Sequence, residues 1–436
     1  MKITFLGAGS TVFVKNLLGD CLLIEDIDSF EVALYDIDAE RLKESQLIIT
    51  ALNNRYGGKM KIEAYTDIKK ALTGANYVIN AIQVGGYEPC TVTDFEIPRK
   101  YGLRQTIGDT LGIGGIFRAL RTIPVLEFFA REISKYCPDA LFLNYVNPMA
   151  MLTGYLLTHT GVKSVGLCHS VQVCAHEIFW SLGMEERAVD CRVKIAGINH
   201  MSWLLSITDA KGKDLYPEIK RLSKEKWDSE RIQHDRVRHT IMHEFGYYVT
   251  ESSEHNAEYH PYFIKNAYPE LIDKYFVRLD EYPKRCIQQI ADWKIQKEKL
   301  LKQHDLEHSK TKEYTSAIIQ AMEGFGTASI HGNVLNEGLI TNLPKECTVE
   351  VPIMVNRHGL QPVRVGDLPV QCAALNRTNI NVQLLTMEAA RTGLKKYIYM
   401  AAMLDPHTAS ELPIDKIKAM CDELIEAHGD WLPKFV

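Results

Sequence analysis

Short apolar runs alternate with helical patterns over the first part of the chain, and this alternation limits it to a small set of folds. Each run has the length and composition of a strand that is buried on both faces. The runs are Ile3–Leu6, Glu31–Tyr35, Tyr77–Ile82 and Ala140–Leu143. Helices between such strands act as right-handed crossovers that connect parallel neighbours. The pattern therefore predicts a doubly wound, Rossmann-like parallel sheet.

The length of the chain predicts more than one domain. Single hydrophobic cores stop growing at about 250–300 residues, and this chain has 436. We expect residues 1–190 to form the nucleotide-binding domain. In residues 191–436, charged helical stretches alternate with short strands, which predicts an α+β domain. The whole should resemble lactate and malate dehydrogenases, with the binding cleft between the two halves.

Charge and composition exclude several classes of function. A formal net charge of −5 gives no basic field for nucleic acid or an acidic membrane surface. No apolar run approaches the roughly 20 residues that cross a bilayer, and no secretory signal precedes the first strand. We therefore expect a cytoplasmic protein whose ten cysteines are reduced thiols.

The first strand leads into a glycine turn that suits a dinucleotide. Gly7, Gly9 and Ser10 stand between this strand and a helix, where the backbone can approach a pyrophosphate closely. Asp36 ends the second strand, where a carboxylate accepts the ribose hydroxyls and repels a 2′-phosphate, which favours NAD over NADP. Asp38 is the alternative for this role, although its position is more typical of a helix N-cap.

A cysteine and a histidine follow two further apolar runs and predict a metal site. Cys168 ends one run and is followed by His169 and Ser170, and His200 ends the other. Two protein ligands leave an open site that substrate oxygens can complete. Thiolate and imidazole suit Zn, Fe, Co or Ni, and Mn²⁺ takes sugar oxygens well, so these residues leave the metal open.

Three further segments carry candidate polar groups. Asn144 and Asn147 follow a strand at its carboxyl end, where ligands of open α/β sheets bind, so we expect their amides to face the nicotinamide region and Asn144 to contact the cofactor. Both could instead be loop caps. Asp109 is a candidate catalytic residue in a glycine-rich connection, which could form a wall over the nicotinamide and bring Asp109 to a sugar hydroxyl. The alternative is a mobile loop. Tyr259 ends the polar segment 250–261, which is either a solvated loop or an active-site wall that carries a base.

Taken together, these motifs resemble those of glycoside hydrolase family 4, whose members depend on NAD and a metal. The resemblance covers essentially the whole chain, and several of its motifs are long and rare. They are Gly7–Ser10, Gly85–Asp94, Gly114–Pro124, Asn144–Pro148, Cys168–Ser170, Gly197–His200, Thr250–His255 and Asp405–Thr408. Within the family, Cys168–Val171 is similar to the corresponding segment of the α-galactoside-cleaving branch.

The resemblance implies a mechanism outside the usual two-carboxylate scheme of glycosidases. NAD⁺ would oxidise C3 of the sugar, a base would remove the C2 proton, the aglycone would leave by elimination, and water addition and reduction would follow. Cys168 and His200 would bind Mn²⁺ or another divalent transition metal. His169 would be the general acid or an orienting group, Tyr259 the base, and Asn147 a sugar contact. Homodimers or homotetramers are expected by the same resemblance.

Several alternatives remain open on the sequence. Tyr248 and Tyr262 compete with Tyr259 for the role of base. An α-glucuronidase or α-galacturonidase of the same family needs a cation for the sugar carboxylate, and Arg118 and Lys265 could supply it. An α-glucosidase, an ordinary NAD-dependent hydroxy-acid dehydrogenase and a non-catalytic NAD sensor complete the set of candidate functions.

Overall fold

The structure is a computed structural model that describes residues 1–302 and 306–436. The described residues form a single sheet of twelve strands. In chain order the strands are β1 (Lys2–Leu6), β2 (Phe30–Tyr35), β3 (Met60–Tyr65), β4 (Tyr77–Asn80), β5 (Leu141–Asn144), β6 (Ser164–Gly166), β7 (Arg192–Ile198), β8 (Met201–Thr208), β9 (Tyr248–Val249), β10 (Ala328–Leu335), β11 (Thr348–Asn356) and β12 (Gly359–Pro362).

Helices cover the sheet and form the rest of the regular structure. They are α1 (Thr11–Leu22), α2 (Ala39–Arg55), α3 (Ile68–Leu72), α4 (Val92–Lys100), α5 (Gly112–Tyr136), α6 (Met149–His159), α7 (Ser170–Leu182), α8 (Tyr216–Glu225), α9 (Glu230–Gln233), α10 (Arg236–Phe245), α11 (Ser253–Tyr259), α12 (Leu271–Lys274), α13 (Glu281–Lys302), α14 (Thr315–Met322), α15 (Val370–Thr392), α16 (Lys395–Leu404), α17 (Pro406–Glu411) and α18 (Ile414–His428).

The first six strands have the strand order of a dinucleotide-binding sheet. They run in the order β3-β2-β1-β4-β5-β6, and every pair among them is parallel. The direction of winding reverses between β1 and β4, where sheets of this kind bind their ligands. The Rossmann-like prediction is confirmed, although β4 ends at Asn80 and not at Ile82.

Strands of the second half extend the same sheet. β10 pairs antiparallel with β6, and the order continues through β11, β7, β8 and β9. The sheet thus passes from parallel to antiparallel pairing at β6, the strand that leads to Cys168. The domain boundary at residue 190 stays a prediction.

The core has one large part and one small part. A continuous apolar cluster packs the Rossmann helices, the sheet and the C-terminal helices together. A smaller cluster packs α7, α8 and α10 against β7 and β8. None of the helices in the described part of the chain is long and apolar enough to cross a membrane.

Candidate active site

The ends of two strands bring Cys168 and His200 together. Cys168 lies in the short connection between β6 and α7, and His200 lies in the turn between β7 and β8. Their Sγ and Nε2 atoms are 3.4 Å apart. His200 is 3% exposed, and burial, with the charges of Glu251 and Glu350, raises the pKa of the Cys168 thiol. A bound cation would reverse this, because coordination deprotonates a thiol.

Glu251 is a third potential donor that the sequence did not single out. Its Oε2 lies 3.4 Å from Nε2 of His200, and one donor atom from each of Cys168, His200 and Glu251 lies within 4.8 Å of the other two. Burial opposes ionisation here, but His200 and His255 lower the pKa of Glu251 to about 2. The available signal was its position at the start of the polar segment 250–261.

Backbone strain is concentrated on two of these three donors. His200 has φ = 63° and Glu251 has φ = 66°, both in the left-handed region that residues with a side chain rarely adopt. Each such conformation costs about 1–3 kcal/mol and persists where the surrounding structure imposes it, as at functional sites. The fold therefore holds these two side chains in place at an energetic cost.

Tyr259 lies directly against the candidate metal ligands. Segment 253–259 is a buried helix, α11, whose N-cap Ser252 accepts a hydrogen bond from the backbone N–H of His255, so the solvated-loop alternative is wrong. The Oη atom of Tyr259 is 3.1 Å from Nδ1 of His200, and burial raises its pKa well above 10.

The competing tyrosines lie elsewhere. Tyr262 is 47% exposed, whereas Tyr248 is buried and donates its hydroxyl proton to Asp235. Tyr259 is thus the one of these three that contacts His200 in the structure.

Glu258 holds the loop that carries Asp109. Its carboxylate accepts backbone N–H groups of Thr106 (2.5 Å), Ile107 (3.1 Å) and Gly108 (3.1 Å). Burial raises the pKa of Glu258 to about 7, although these hydrogen bonds favour the anion. Asp109 is 9% exposed, so the loop around it is anchored to α11 and is packed rather than open.

Asp109 faces the same group of side chains. Its Oδ1 accepts the hydroxyl of Thr110 at 2.7 Å and lies 3.9 Å from Nε2 of His255. The rings of His255 and His200 are in edge contact, with centroids 4.8 Å apart. Asp109 therefore lies in the cluster around His200, and its contact with a sugar hydroxyl stays a prediction.

His169 lies on the open side of the cluster. Its side chain is 61% exposed, and its Nδ1 is 3.8 Å from Oε1 of Glu313. It is the N-cap residue of α7. A side chain so placed can reach a bound molecule from the solvent side.

The two predicted asparagines differ in availability. Asn144 is fully buried, and its side chain is satisfied within the protein by Asn80, Val146 and Thr153, so its cofactor contact stays a prediction. Asn147 is half-buried and its carbonyl accepts the Nε–H of Arg118 at 3.2 Å.

The two candidate cations are differently engaged. Arg118 contacts the Tyr282 hydroxyl at 3.3 Å and faces the charge of Asp109. Lys265 pairs with Glu411 at 2.9 Å. Of the two, Arg118 is the one whose charge acts within the cluster.

The glycine turn has the close contacts that a nucleotide-binding turn requires. At Gly7, φ is 83° and a Cβ would lie 2.8 Å from the carbonyl carbon of Ala81. Gly9 donates its N–H to Oδ2 of Asp36 at 2.6 Å, so Ser10 and Asp36 lie at the same end of the sheet. Asp38 caps α2, as its position suggested. The turn and the carboxylate are therefore assembled together.

Two models of one protein family match most of the chain. The family model described as "Family 4 glycosyl hydrolase" matches residues 2–184, and its C-terminal domain model matches residues 195–408. An alpha-galactosidase of Bacillus subtilis (strain 168) is 58% identical over 434 residues, covering 100% of this chain and 99% of the relative. An alpha-galacturonidase of the same strain is 31% identical and covers 93% of both chains.

A solved structure has the same fold over the full length. The 6-phospho-beta glucosidase of Thermotoga maritima, solved with manganese, NAD+ and glucose-6-phosphate, gives a TM-score of 0.78 at 23% identity and covers 100% of both chains. At this identity the likeness concerns the fold. The two family models and the relative that is 58% identical show the descent of the chain: this protein belongs to glycosyl hydrolase family 4.

Proposed function

We propose that this protein is an NAD- and Mn²⁺-dependent α-galactosidase that cleaves terminal α-galactosides such as melibiose. The observation that carries the proposal is the convergence of Cys168, His200 and Glu251 with Tyr259 beside them. The 58% identity to an alpha-galactosidase over the whole chain supports the choice of sugar.

The residues present fit a divalent transition metal. A thiolate, an imidazole and a carboxylate are a mixed donor set that transition metals accept, and three protein ligands leave positions open for a substrate. Two of the three side chains are held by strained backbone. The side-chain amide of Asn199, next to His200, is buried beside the carboxylate of Glu350.

The N-terminal turn fits NAD for a similar reason. Gly7, Gly9 and Ser10 would lie along the pyrophosphate, and Asp36 would accept the ribose hydroxyls. A side chain at Gly9 would come within 2.8 Å of Oδ2 of Asp36, so only glycine keeps the turn and the carboxylate together. Asn144 would contribute indirectly, because its buried side chain shapes the end of β5.

NAD⁺ and the metal, when bound, supply hydride acceptance at C3 of the sugar and stabilisation of charge on its C2 and C3 oxygens, which together acidify the C2 proton. Tyr259 is the base that takes this proton. Its burial raises the pKa and opposes ionisation, so a nearby cation is what makes it competent. His169, on the open side, gives a proton to the leaving oxygen, and Asp109 and Asn147 hold sugar hydroxyls.

The coarser organisation is part of the same proposal. Residues 1–190 form the nucleotide-binding domain and residues 191–436 the α+β domain, with the site between them. We expect a cytoplasmic homodimer or homotetramer, by the family resemblance.

The main alternative substrate is an α-galacturonide, and it needs a cation facing C6 of the sugar. Lys265 is neutralised by Glu411, and Arg118 is held by Asn147, Tyr282 and the charge of Asp109. These engagements leave little free positive charge for a carboxylate, so we favour the neutral galactoside.

Hydrolysis in D₂O tests the mechanism and the substrate together. With NAD⁺ and Mn²⁺, melibiose or p-nitrophenyl α-galactoside should release galactose that carries deuterium at C2. Turnover without deuterium at C2 would exclude the elimination route. A galacturonide that is cleaved faster than the galactoside, at equal concentration, would exclude the proposed substrate.

A further inference from the structure

A row of polar residues crosses the sheet directly beneath the candidate metal ligands. Gly166 in β6 pairs with Asn333 in β10, Asn333 with Glu350 in β11, Glu350 with Gly197 in β7, and Gly197 with Ser202 in β8. The row therefore connects five adjacent strands at one level of the sheet. Such a row of polar side chains is unusual in a core strand.

This row joins the three segments that carry the donors. Cys168 follows Gly166 by two residues, and His200 follows Gly197 by three. Ser202 exchanges hydrogen bonds with Thr250, whose N–H donates to Ser202 O at 2.8 Å, while the N–H of Ser202 donates to the Thr250 hydroxyl at 3.0 Å. Glu251 is the next residue after Thr250.

Glu350 is the charged member of the row and its connecting point. It is 0% exposed. Its Oε2 accepts the Ser202 hydroxyl at 2.8 Å, and its Oε1 accepts the Asn333 amide at 3.1 Å. The Asn333 amide also donates to Gly166 O at 3.4 Å. One carboxylate thus connects the β6 side of the row with β8.

Neighbouring strands are tightly packed at the two glycines of the row. A Cβ at Gly166 would lie 2.9 Å from Cβ of Asn333, and a Cβ at Gly197 would lie 2.7 Å from Cα of Ser202. The two glycines are therefore the sites where neighbouring strands approach most closely. Their small size lets the long Glu350 and Asn333 side chains occupy the row.

The charge of Glu350 has no positively charged partner from Lys or Arg among residues 1–302 and 306–436. Both of its hydrogen-bond donors named above are neutral, and a buried carboxylate without a cation is costly. It is linked to the donors by hydrogen bonds, because Ser202 joins it to the turn that carries His200 and to Thr250, which precedes Glu251. Burial raises the pKa of Glu350, and its hydrogen bonds from Ser202 and Asn333, together with the nearby His200, offset this only in part.

We propose that Glu350 is a positioning residue for the metal site. Its hydrogen bonds hold together the strands that lead to Cys168 and His200, and its carboxylate supplies buried negative charge that a divalent cation offsets. This inference rests on the proposed metal dependence. Partners of this kind, behind the ligands, tune metal affinity although they do not touch the ion. Glu350 reaches the site through Ser202 and Asn333 and takes no part in proton transfer.

Binding of Mn²⁺ to the full-length, metal-free protein with NAD⁺ and no substrate tests the proposal. Free Mn²⁺ is followed by electron paramagnetic resonance, and NAD⁺ affinity by calorimetry. Glu350→Gln keeps the shape and one acceptor oxygen, turns the other oxygen into an amide donor and removes the charge, so Mn²⁺ should bind about 10- to 100-fold more weakly. NAD⁺ affinity and the melting temperature should stay at the wild-type values, which a general loss of structure would not allow.

Two further variants separate the effect of the Glu350 charge from the effect of its hydrogen bonds between the strands. Ser202→Ala keeps the charge and removes one hydrogen bond, so Mn²⁺ should bind more weakly than to wild type but more tightly than to Glu350→Gln. Glu127→Gln is the matched control, because Glu127 is also a carboxylate that accepts a neutral hydroxyl, from Tyr155. Its Mn²⁺ affinity should be unchanged.

Activity gives a second readout. The activity of Glu350→Gln should recover as the Mn²⁺ concentration is raised. Compared with wild type, the variant should need more Mn²⁺ to reach its half-maximal rate, whereas its kcat at saturating Mn²⁺ should fall much less. If Glu350→Gln binds Mn²⁺ within about twofold of wild type, the proposal is overturned. If this variant does not fold, Ser202→Ala decides: weaker Mn²⁺ binding at an unchanged melting temperature supports the proposal, and unchanged binding overturns it.

Different results would overturn the proposed function and the proposed role of Glu350. Wild-type protein that binds no Mn²⁺, or Cys168→Ser protein that binds it as wild type does, would overturn the metal assignment itself. Normal wild-type binding that is lost in Cys168→Ser, with an unaffected Glu350→Gln, would overturn only the role of Glu350.

Discussion

The hydroxyl of Tyr259 lies 3.1 Å from Nδ1 of His200, and Nε2 of the same imidazole lies 3.4 Å from Sγ of Cys168. One ring therefore connects the proposed base with the proposed metal ligands. Hydrogen bonding at Nδ1 leaves Nε2 for an ion, since the partner of one ring nitrogen determines the role of the other. The position of Tyr259 and the state of the metal site are thus linked through His200.

Tyr259→Phe should remove the base and leave the rest of the site in place. Proton transfer by a positioned side chain contributes about 10²–10⁴-fold to a rate, so kcat for p-nitrophenyl α-galactoside should fall by about that factor. Exchange of the C2 proton in D₂O should be lost in parallel, while binding of NAD⁺ and Mn²⁺ persists.

Tyr262→Phe is the matched control for this variant, because Tyr262 is a nearby tyrosine that is 47% exposed. Its rate should stay close to that of wild type. A Tyr259→Phe protein that still exchanges the C2 proton at the wild-type rate would assign the base to another group.

Much of the fold was predictable because it depends on local patterns. The period of the apolar runs and the turn Gly7–Ser10 are short-range features, and the parallel half of the sheet follows from them. The continuation of the sheet through β10 and β11 was not predictable in this way. It joins β6 to strands that lie more than 150 residues later in the chain, and no local period encodes such a pairing. Cys168 and His200 were found since each follows an apolar run.

Glu251 and Glu350 were not identified from the sequence, for different physical reasons. Glu251 stands in a polar segment that could have been a solvated loop, and only the folded structure shows that it is half-buried beside His200. Glu350 lies within an apolar strand pattern, where a single acid predicts nothing by itself. Its meaning depends on the register of β11 between β10 and β7.

Cys168→Ser should abolish Mn²⁺ binding and hydrolysis while NAD⁺ binding remains. The serine hydroxyl is a harder and much weaker acid than a thiol, so it does not replace the thiolate as a ligand. Calorimetry with Mn²⁺ and with NAD⁺ measures the two effects separately. Cys191→Ser, at a half-buried cysteine between the segment 185–188 and β7, should behave as wild type. Full activity of Cys168→Ser would contradict the ligand assignment.

The carboxyl of Glu258 predicts a pH dependence of stability. Burial raises its folded pKa to about 7, above the ordinary value of 4.5. Between these values the folded protein binds more protons than the unfolded chain, so this group lowers the free energy of unfolding as pH rises through that window. Glutamine does not titrate, so the free energy of unfolding of wild type minus that of Glu258→Gln should fall by about 3 kcal/mol from pH 4 to pH 8.

Urea unfolding of both proteins across this range measures the difference. The test is a comparison of two chains that differ at one position, so other titrating groups cancel. A difference that does not change with pH would mean that Glu258 keeps an ordinary pKa, with its three backbone N–H partners outweighing burial.

Two contacts connect α4 to α18, one through the buried Asp94 and one through the exposed Lys100, and they should differ greatly in their effect on stability. Asp94 pairs with Arg121 at 2.7 Å and with His428 at 2.9 Å, and all three side chains are at most 3% exposed. Lys100 pairs with Glu423 at 2.6 Å on the surface. Asp94→Ala leaves a buried guanidinium unpaired and should lower the free energy of unfolding by about 3–5 kcal/mol. Glu423→Gln breaks a solvated pair and should stay close to wild type. Urea denaturation of the two variants measures both effects. Equal midpoints would show that the buried contacts of Asp94 with Arg121 and His428 do not stabilise the attachment of α18.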